Sequence, residues 1–169
     1  MSEQSRWNVD SRRGGVDLHD SPAVVGWSGC IAQEVSENSC DASASGLRRP
    51  FLILRTDSDI FRNATGLVGR RAADFAVLVH GADALVVIEV KGRSYDVTEA
   101  FEQLQNVIGA MVQELPHCRV YPVVFARDHD PITKKMWGPR KIKVALKRIP
   151  VSLRGCGDRI VSVHPSVLG

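Results

Sequence analysis

Residues 72–91 read AADFAVLVHGADALVVIEVK, and this stretch decides the fold. Two runs rich in Val, Leu and Ile lie on either side of Gly81 and Ala82. Glycine at the first central position favours a two-residue turn of type II′, so the sequence predicts a β-hairpin. Antiparallel partners keep a constant sum of residue numbers, so counting outward from this turn places Asp74 opposite Glu89.

The segments around the hairpin alternate between strands and helices. Downstream, Asp96 followed by Glu99 predicts a helix N-cap, and apolar residues then recur with helical period until Pro116. The strand, helix and strand that follow one another there predict a parallel pair with a right-handed crossover. The fold class is therefore α/β, with a mixed central sheet flanked by helices. In chain order, the predicted elements are a helix from Ser21-Pro22 through Val35, a loop over 39–46, strands 51–54, 72–79 and 84–90, helix 97–115, strand 119–126 and a basic strand within 142–150.

Composition indicates one globular domain. The chain has 169 residues, 44% apolar and 24% charged, which suits a single domain over residues 21–169 after a flexible, polar tail over residues 1–20. No apolar run is long enough to cross a bilayer, and the N-terminus lacks the apolar core of a secretory signal. We therefore expect a cytoplasmic protein with no membrane partner. In that compartment we expect single thiols at Cys30, Cys40, Cys118 and Cys156. A disulfide or a zinc framework is not expected.

Positive charge is concentrated in residues 134–154. This segment holds 8 of the 22 basic residues and no acid, which leaves 14 basic residues against 19 acidic ones elsewhere. Such a basic block suits a polyanion such as DNA, although a solvated surface strand with ordinary lysines explains it equally well. Trp137 either stacks on a base within this segment or is half-buried. The candidate nucleic-acid-binding residues are Lys134, Lys135, Arg140, Lys141 and Lys143.

The predicted hairpin brings two acids together between apolar neighbours. Asp74 and Glu89 share one face of central strands, with Lys91 two residues further along that face. Like charges that oppose each other near a core repel and lose hydration, and a divalent cation between them removes the conflict. The alternatives are a protonated Asp74, a buried ion pair of Asp74 with Lys91, Arg70 or Arg71 that has no catalytic meaning, and a register shifted by one residue.

The chain resembles the PD-(D/E)xK nuclease superfamily over about residues 21–126. The resemblance lies in the order Asp74, strand, turn and then Ile88-Glu89-Val90-Lys91. The resemblance implies a restriction endonuclease-like αβββαβ core and a nuclease that depends on Mg²⁺ or Mn²⁺. It also implies that Asp74 and Glu89 bind the metal with the backbone carbonyl of Val90. Lys91 would orient or activate the attacking water.

The resemblance suggests two further catalytic residues. The family often adds a Glu from the first helix, for which Glu34 is the candidate. Some members carry a Gln-x-x-x-Tyr motif on the following helix, whose nearest analogues here are Gln103 and Gln105, without the tyrosine. These two lie on opposite edges of the apolar stripe, so at most one faces the site, and Gln105 is the residue assigned. Ala73 also stands where the strictest members have proline.

Three functions agree with this fold. The first is a Mg²⁺-dependent DNA nuclease whose basic segment holds the DNA backbone. One site cuts one strand, so a homodimer or a partner protein that directs cleavage is expected. The second is a non-catalytic subunit that binds nucleic acid or docks on a protein, and the third is a nuclease of RNA. No glycine-rich phosphate loop is present, so ATP use is not expected.

Overall fold

The structure, a computed structural model, describes residues 27–169. The predicted tail over 1–20 and the start of the predicted first helix lie outside these described residues. The strands are β1 (Ile31–Ala32), β2 (Val35–Glu37), β3 (Cys40–Ala42), β4 (Phe51–Arg55), β5 (Phe75–Val79), β6 (Ala84–Lys91), β7 (Arg119–Ala126), β8 (Lys141–Val144), β9 (Lys147–Pro150) and β10 (Ser152–Gly155). The α-helices are α1 (Asp59–Thr65), α2 (Val97–Glu114), α3 (Pro131–Trp137) and α4 (Pro165–Leu168). Short 3-10 helices cover Ser28–Cys30 and Ile160–Val163.

Six strands form one mixed sheet in the order β1-β4-β5-β6-β7-β10. The first four are antiparallel neighbours, whereas β6, β7 and β10 run parallel. Helix α2 connects β6 to β7, which confirms the predicted crossover between parallel strands. The α/β class with a mixed sheet is therefore confirmed. None of the helices in the described part of the chain is long and apolar enough to cross a membrane.

The β5–β6 hairpin has the predicted register. Ala76 pairs with Val87 and Leu78 pairs with Leu85. The connection covers residues 80–83, and Gly81 has a φ of 79°, in the left-handed region that glycine adopts without strain. Because side chains alternate along a strand, this register decides which residues share a face with Asp74 and Glu89.

Each face of the sheet carries its own apolar core. On the first face, alternate residues of β5 and β6 pack under α2, through Ala76, Leu78, Leu85 and Val87. On the second face, the intervening residues pack against the β2–β3 hairpin and the C-terminal segment, through Phe75, Val77, Val86 and Ile88. Strands buried on both faces explain the near-continuous apolar runs that the sequence shows. Asp74, Glu89 and Lys91 alternate with the second set and so belong to the face covered by α2.

The prediction of a helix up to Val35 is wrong for residues 27–35, the part of that helix which the structure describes. Residues 28–30 form a 3-10 turn, and Ile31 and Ala32 then pair with Leu54 and Ile53 at the edge of the sheet. Gly29 weakens an α-helix at this point, and pairing with a distant strand satisfies the backbone instead. The predicted loop over 39–46 likewise begins as strand β3, paired with β2.

Two further predictions are corrected near the C-terminus. The predicted basic strand is a separate two-stranded hairpin, β8–β9, and β10 completes the edge of the main sheet instead. The expectation of four single thiols is wrong, because Cys40 and Cys156 form a disulfide with Cα atoms 5.1 Å apart. Cys30 and Cys118 are free and buried. Partners 116 residues apart leave no local spacing pattern for the sequence to show.

Candidate active site

Asp74 and Glu89 are locked together by backbone hydrogen bonds at the end of the hairpin. The Asp74 N–H donates to Glu89 Oε2 over 3.2 Å, and the Val90 N–H donates to Asp74 Oδ2 over 2.9 Å. Both residues are buried, with Glu89 1% exposed and Asp74 9%. The predicted opposition of the two acids is therefore present, and each carboxylate also satisfies a backbone donor of the partner strand.

Lys91 lies between the acids and α2. Its Nζ is 2.7 Å from Glu89 Oε1 and donates to Gln103 Oε1 over 2.8 Å. Gln103 in turn donates from Nε2 to the Ala72 carbonyl over 3.4 Å, so it connects the helix to the residues before β5. The Lys91 side chain is 17% exposed, which leaves its ammonium group close to solvent. Lys91 is thus held from two sides at the rim of the acidic pair.

Burial strongly disfavours the charged forms of both acids. It raises the pKa of Glu89 to about 8, with a further rise from the negative charge of Asp74 and an opposing effect of Lys91. Burial also raises the pKa of Asp74 to about 6, against the hydrogen bond from Val90. Glu89 therefore remains largely protonated near neutral pH, whereas Asp74 is largely ionised. A divalent cation bound between two such carboxyl groups would lower the free energy of their ionised forms.

A second set of charges lies outside this pair. Arg55 makes ion pairs with Asp57 and Glu37, and the contact with Asp57 measures 3.0 Å. The negative charges of Asp57 and Glu37 also raise the pKa of Asp74. Glu37 is therefore the acid from the N-terminal region that lies within electrostatic range of the site.

The assignment of Glu34 to the site is corrected. Glu34 is exposed in the bend between β1 and β2, and not on the inner side of a helix. No local sequence pattern indicates Glu37, because its position depends on the docking of the β2–β3 hairpin against the sheet.

The assignment of Gln105 to the site is also corrected, since Gln103 faces Lys91. Gln105 donates from Nε2 to the Lys143 carbonyl, and its Oε1 accepts from the Lys143 N–H, both over 3.2 Å. Residues two apart on an α-helix project about 200° from one another, so the two glutamines face opposite flanks of α2. The helical pattern in the sequence indicates that at most one of the two glutamines faces the site, but it does not show which one.

Basic residues lie along the flank of α2 that faces β8. Arg140 donates to Thr98 Oγ1 over 3.1 Å in the first turn of α2. Trp137 is buried, and its Nε1 donates to the Tyr95 hydroxyl over 2.9 Å, so base stacking by Trp137 is excluded in this conformation. Four of the candidate nucleic-acid-binding residues are exposed, namely Lys134, Lys135, Lys141 and Lys143.

The donor set fits a hard divalent cation held by few protein ligands. In the part of the chain that the structure describes, no cluster of three or more His, Cys, Asp and Glu is arranged to hold a metal. Mg²⁺ is usually bound by one or two carboxylates, with water and substrate phosphate as its other ligands. Asp74 and Glu89 supply two such carboxylates, and the Val90 carbonyl belongs to the same strand end.

No protein-family model matches the chain, and no curated protein or solved structure matches it significantly.

Proposed function

We propose that this chain is a metal-dependent nuclease of the PD-(D/E)xK type, with a restriction endonuclease-like core, that hydrolyses phosphodiester bonds in DNA. The observation that carries the proposal is the buried pair of Asp74 and Glu89 with Lys91 at its rim. A purely structural sheet gains nothing from two opposed acids whose pKa values burial raises to about 6 and about 8.

Asp74 and Glu89 would hold Mg²⁺ or Mn²⁺, together with the Val90 carbonyl. The bound metal supplies a water of lowered pKa and polarises the phosphoryl oxygen. Lys91 places a positive charge at the solvent side of the pair, where it orients the attacking water and stabilises charge on the phosphate. Gln103 keeps the Lys91 ammonium in this position through the 2.8 Å hydrogen bond. Arg55 offsets only one of the two negative charges of Asp57 and Glu37, and the remaining charge favours cation binding.

The direct test is cleavage of supercoiled plasmid and of branched DNA by the full chain, with Mg²⁺, with Mn²⁺ and with EDTA. Glu89→Gln and Lys91→Met remove the charges of the site with little change of volume. Glu114→Gln, at the far end of α2, is the matched control because Glu114 is exposed. We expect metal-dependent cutting that falls by about 100-fold or more in both site variants, as for removal of a group that stabilises transition-state charge.

The other outcomes distinguish the alternatives. Cutting that persists in EDTA, or that is equal in the site variants, would exclude this site. DNA binding without cutting in either metal would favour the non-catalytic binding or docking subunit. Preferential cutting of a competing RNA of the same sequence would change the substrate to RNA.

Analytical ultracentrifugation of the same sample tests the expected homodimer, since a monomer that cuts both strands would need a partner protein or two successive encounters.

A further inference from the structure

The hairpin formed by β8 and β9, residues 141–150, stands apart from the main sheet as a two-stranded ribbon. Its sequence, KIKVALKRIP, contains four basic residues, no acid and no aromatic residue. A cleft of about 740 Å³ lies between the ribbon and the segment that leads into β7. The exposed side chains of Lys141, Lys143 and Arg148 show that the rest of the described chain leaves one face of the ribbon uncovered.

The two faces of the ribbon differ in chemistry. Ile142 pairs with Ile149, and Ile142 is completely buried against the core under α2. On the opposite face Lys143 pairs directly with Arg148, next to Lys141, and all three are exposed. Like charges directly opposite each other on a sheet destabilise it. A polyanion laid on this face would remove that repulsion.

The ribbon is attached to α2, the helix that also contacts Lys91 of the candidate site. Gln105 forms two hydrogen bonds with the backbone of Lys143, and Gln103 accepts from Lys91. These glutamines are two residues apart, or about 3 Å along the helix axis. The ribbon and the Lys91 contact of Gln103 therefore lie on opposite flanks of the same helix, at nearly the same height along its axis.

We propose that this ribbon binds a double-stranded nucleic acid by entering its major groove, with Lys141, Lys143 and Arg148 against the phosphates. The inference rests on the proposed function and adds the form of the substrate. The major groove is about 12 Å wide and admits a two-stranded ribbon. Single strands are usually held by aromatic side chains that stack on bases, which the ribbon lacks and which buried Trp137 does not supply.

The experiment measures binding without catalysis. Fluorescence anisotropy measures binding of the full chain, in EDTA and at several salt concentrations, to a labelled 30-base-pair duplex and to the matching single strand. The duplex spans about three helical turns. The test variant is Lys143→Gln with Arg148→Gln. The matched control removes two charges elsewhere, as Arg48→Gln with Arg49→Gln, exposed residues in the loop before β4. Circular dichroism confirms folding of each variant.

We expect the duplex to be bound more tightly than the single strand, and the ribbon variant to lose about tenfold or more in duplex affinity. Its salt slope should fall by about 1.8, since each lost phosphate contact lowers the slope by about 0.9. The charge-conserving exchange Lys143→Arg with Arg148→Lys should retain duplex binding. Equal losses in the ribbon variant and the matched control would overturn the inference, as would equal affinity for the single strand. Either result leaves metal-dependent cleavage by Asp74 and Glu89 intact, so the two proposals fail separately.

Discussion

Glu89 lies in a strand at the centre of the sheet, 1% exposed, with an acid opposite and one ammonium beside it. Its pKa is raised by burial from 4.5 to about 8, so the folded state binds a proton more tightly than the unfolded chain does. Stability then falls as pH rises between these two values, because the folded state binds more protons throughout that range. Asp74 acts in the same direction up to about pH 6.

We therefore expect the free energy of unfolding of the metal-free protein to decrease from pH 5 to pH 8. Urea denaturation in EDTA at several pH values measures this slope. Glu89→Gln keeps the volume and the neutral form, so its slope should be much shallower and its stability at pH 8 higher than that of the unsubstituted protein. Glu114→Gln, at an exposed position, should keep the original slope. Parallel curves for Glu89→Gln and the unsubstituted protein would show that Glu89 ionises normally.

Gln103 is a positioning residue, since its Oε1 accepts the hydrogen bond from Lys91 and touches neither acid in the contacts described. Gln103→Leu should lower kcat for plasmid cleavage by about 10- to 100-fold, the range typical of residues that orient a metal site from outside. The KM for DNA should change little, because Gln103 faces away from the ribbon. Gln113→Leu, an exposed glutamine on the same helix, serves as the control. A rise in KM at unchanged kcat would mean that Gln103 acts on DNA binding and not on Lys91.

At the scale of elements, the disulfide Cys40–Cys156 fastens the β2–β3 hairpin to the loop after β10. A bond that closes 116 residues of chain restricts the unfolded state, and native disulfides typically contribute about 2–4 kcal/mol. We expect Cys40→Ser with Cys156→Ser to lower the free energy of unfolding by that amount. Reductant should lower the Tm of the unsubstituted protein and leave that of the double variant unchanged.

A Tm that does not respond to reductant, together with four reactive thiols in the denatured protein, would contradict the disulfide. The same thiol count on protein trapped inside cells tests the expected cytoplasmic location. Disulfides persist in oxidising compartments and are rare in the cytosol. The cytoplasmic location therefore stays a prediction until that count is made.

Among the elements with local signals, the β5–β6 hairpin and α2 were predicted correctly, whereas the short helices α1 and α3 were missed although Ser58 and Asp130 cap them. The β5–β6 register follows from Gly81 and its apolar flanks, and α2 begins at Val97 after its N-cap Asp96, whose side chain accepts from the Glu99 N–H as predicted. Since the register places Asp74 opposite Glu89, the centre of the candidate site was visible in the sequence. Contacts between distant segments were missed. The β1–β4 pairing overrides helical periodicity, and Glu37 approaches Asp74 only once its hairpin packs on the second face.

At the scale of the molecule, α2 separates two regions of opposite charge. The acids of the candidate site lie on one flank, and the basic ribbon lies on the other. With this separation, a chain with a net charge of only +3 would offer a divalent cation and a polyanion separate surfaces, as the two proposals require. The two binding events are predicted to be separable by mutation, because no residue of the ribbon contacts Asp74 or Glu89 in the contacts described.

Cation binding is predicted to oppose the fall of stability with rising pH. A cation that binds only the folded state with ionised acids competes with protons, so its stabilising effect grows from pH 5 to pH 8. At 100 times its Kd the cation should raise the free energy of unfolding by about 2.7 kcal/mol. Thermal melts with Mg²⁺, with Mn²⁺ and with EDTA at each pH measure this effect without any substrate. Asp74→Asn should abolish the rise in Tm, and Lys143→Gln should retain it, since only the first removes a candidate ligand. A rise of equal size in Asp74→Asn would place the cation elsewhere on the protein, even if cleavage itself depended on metal.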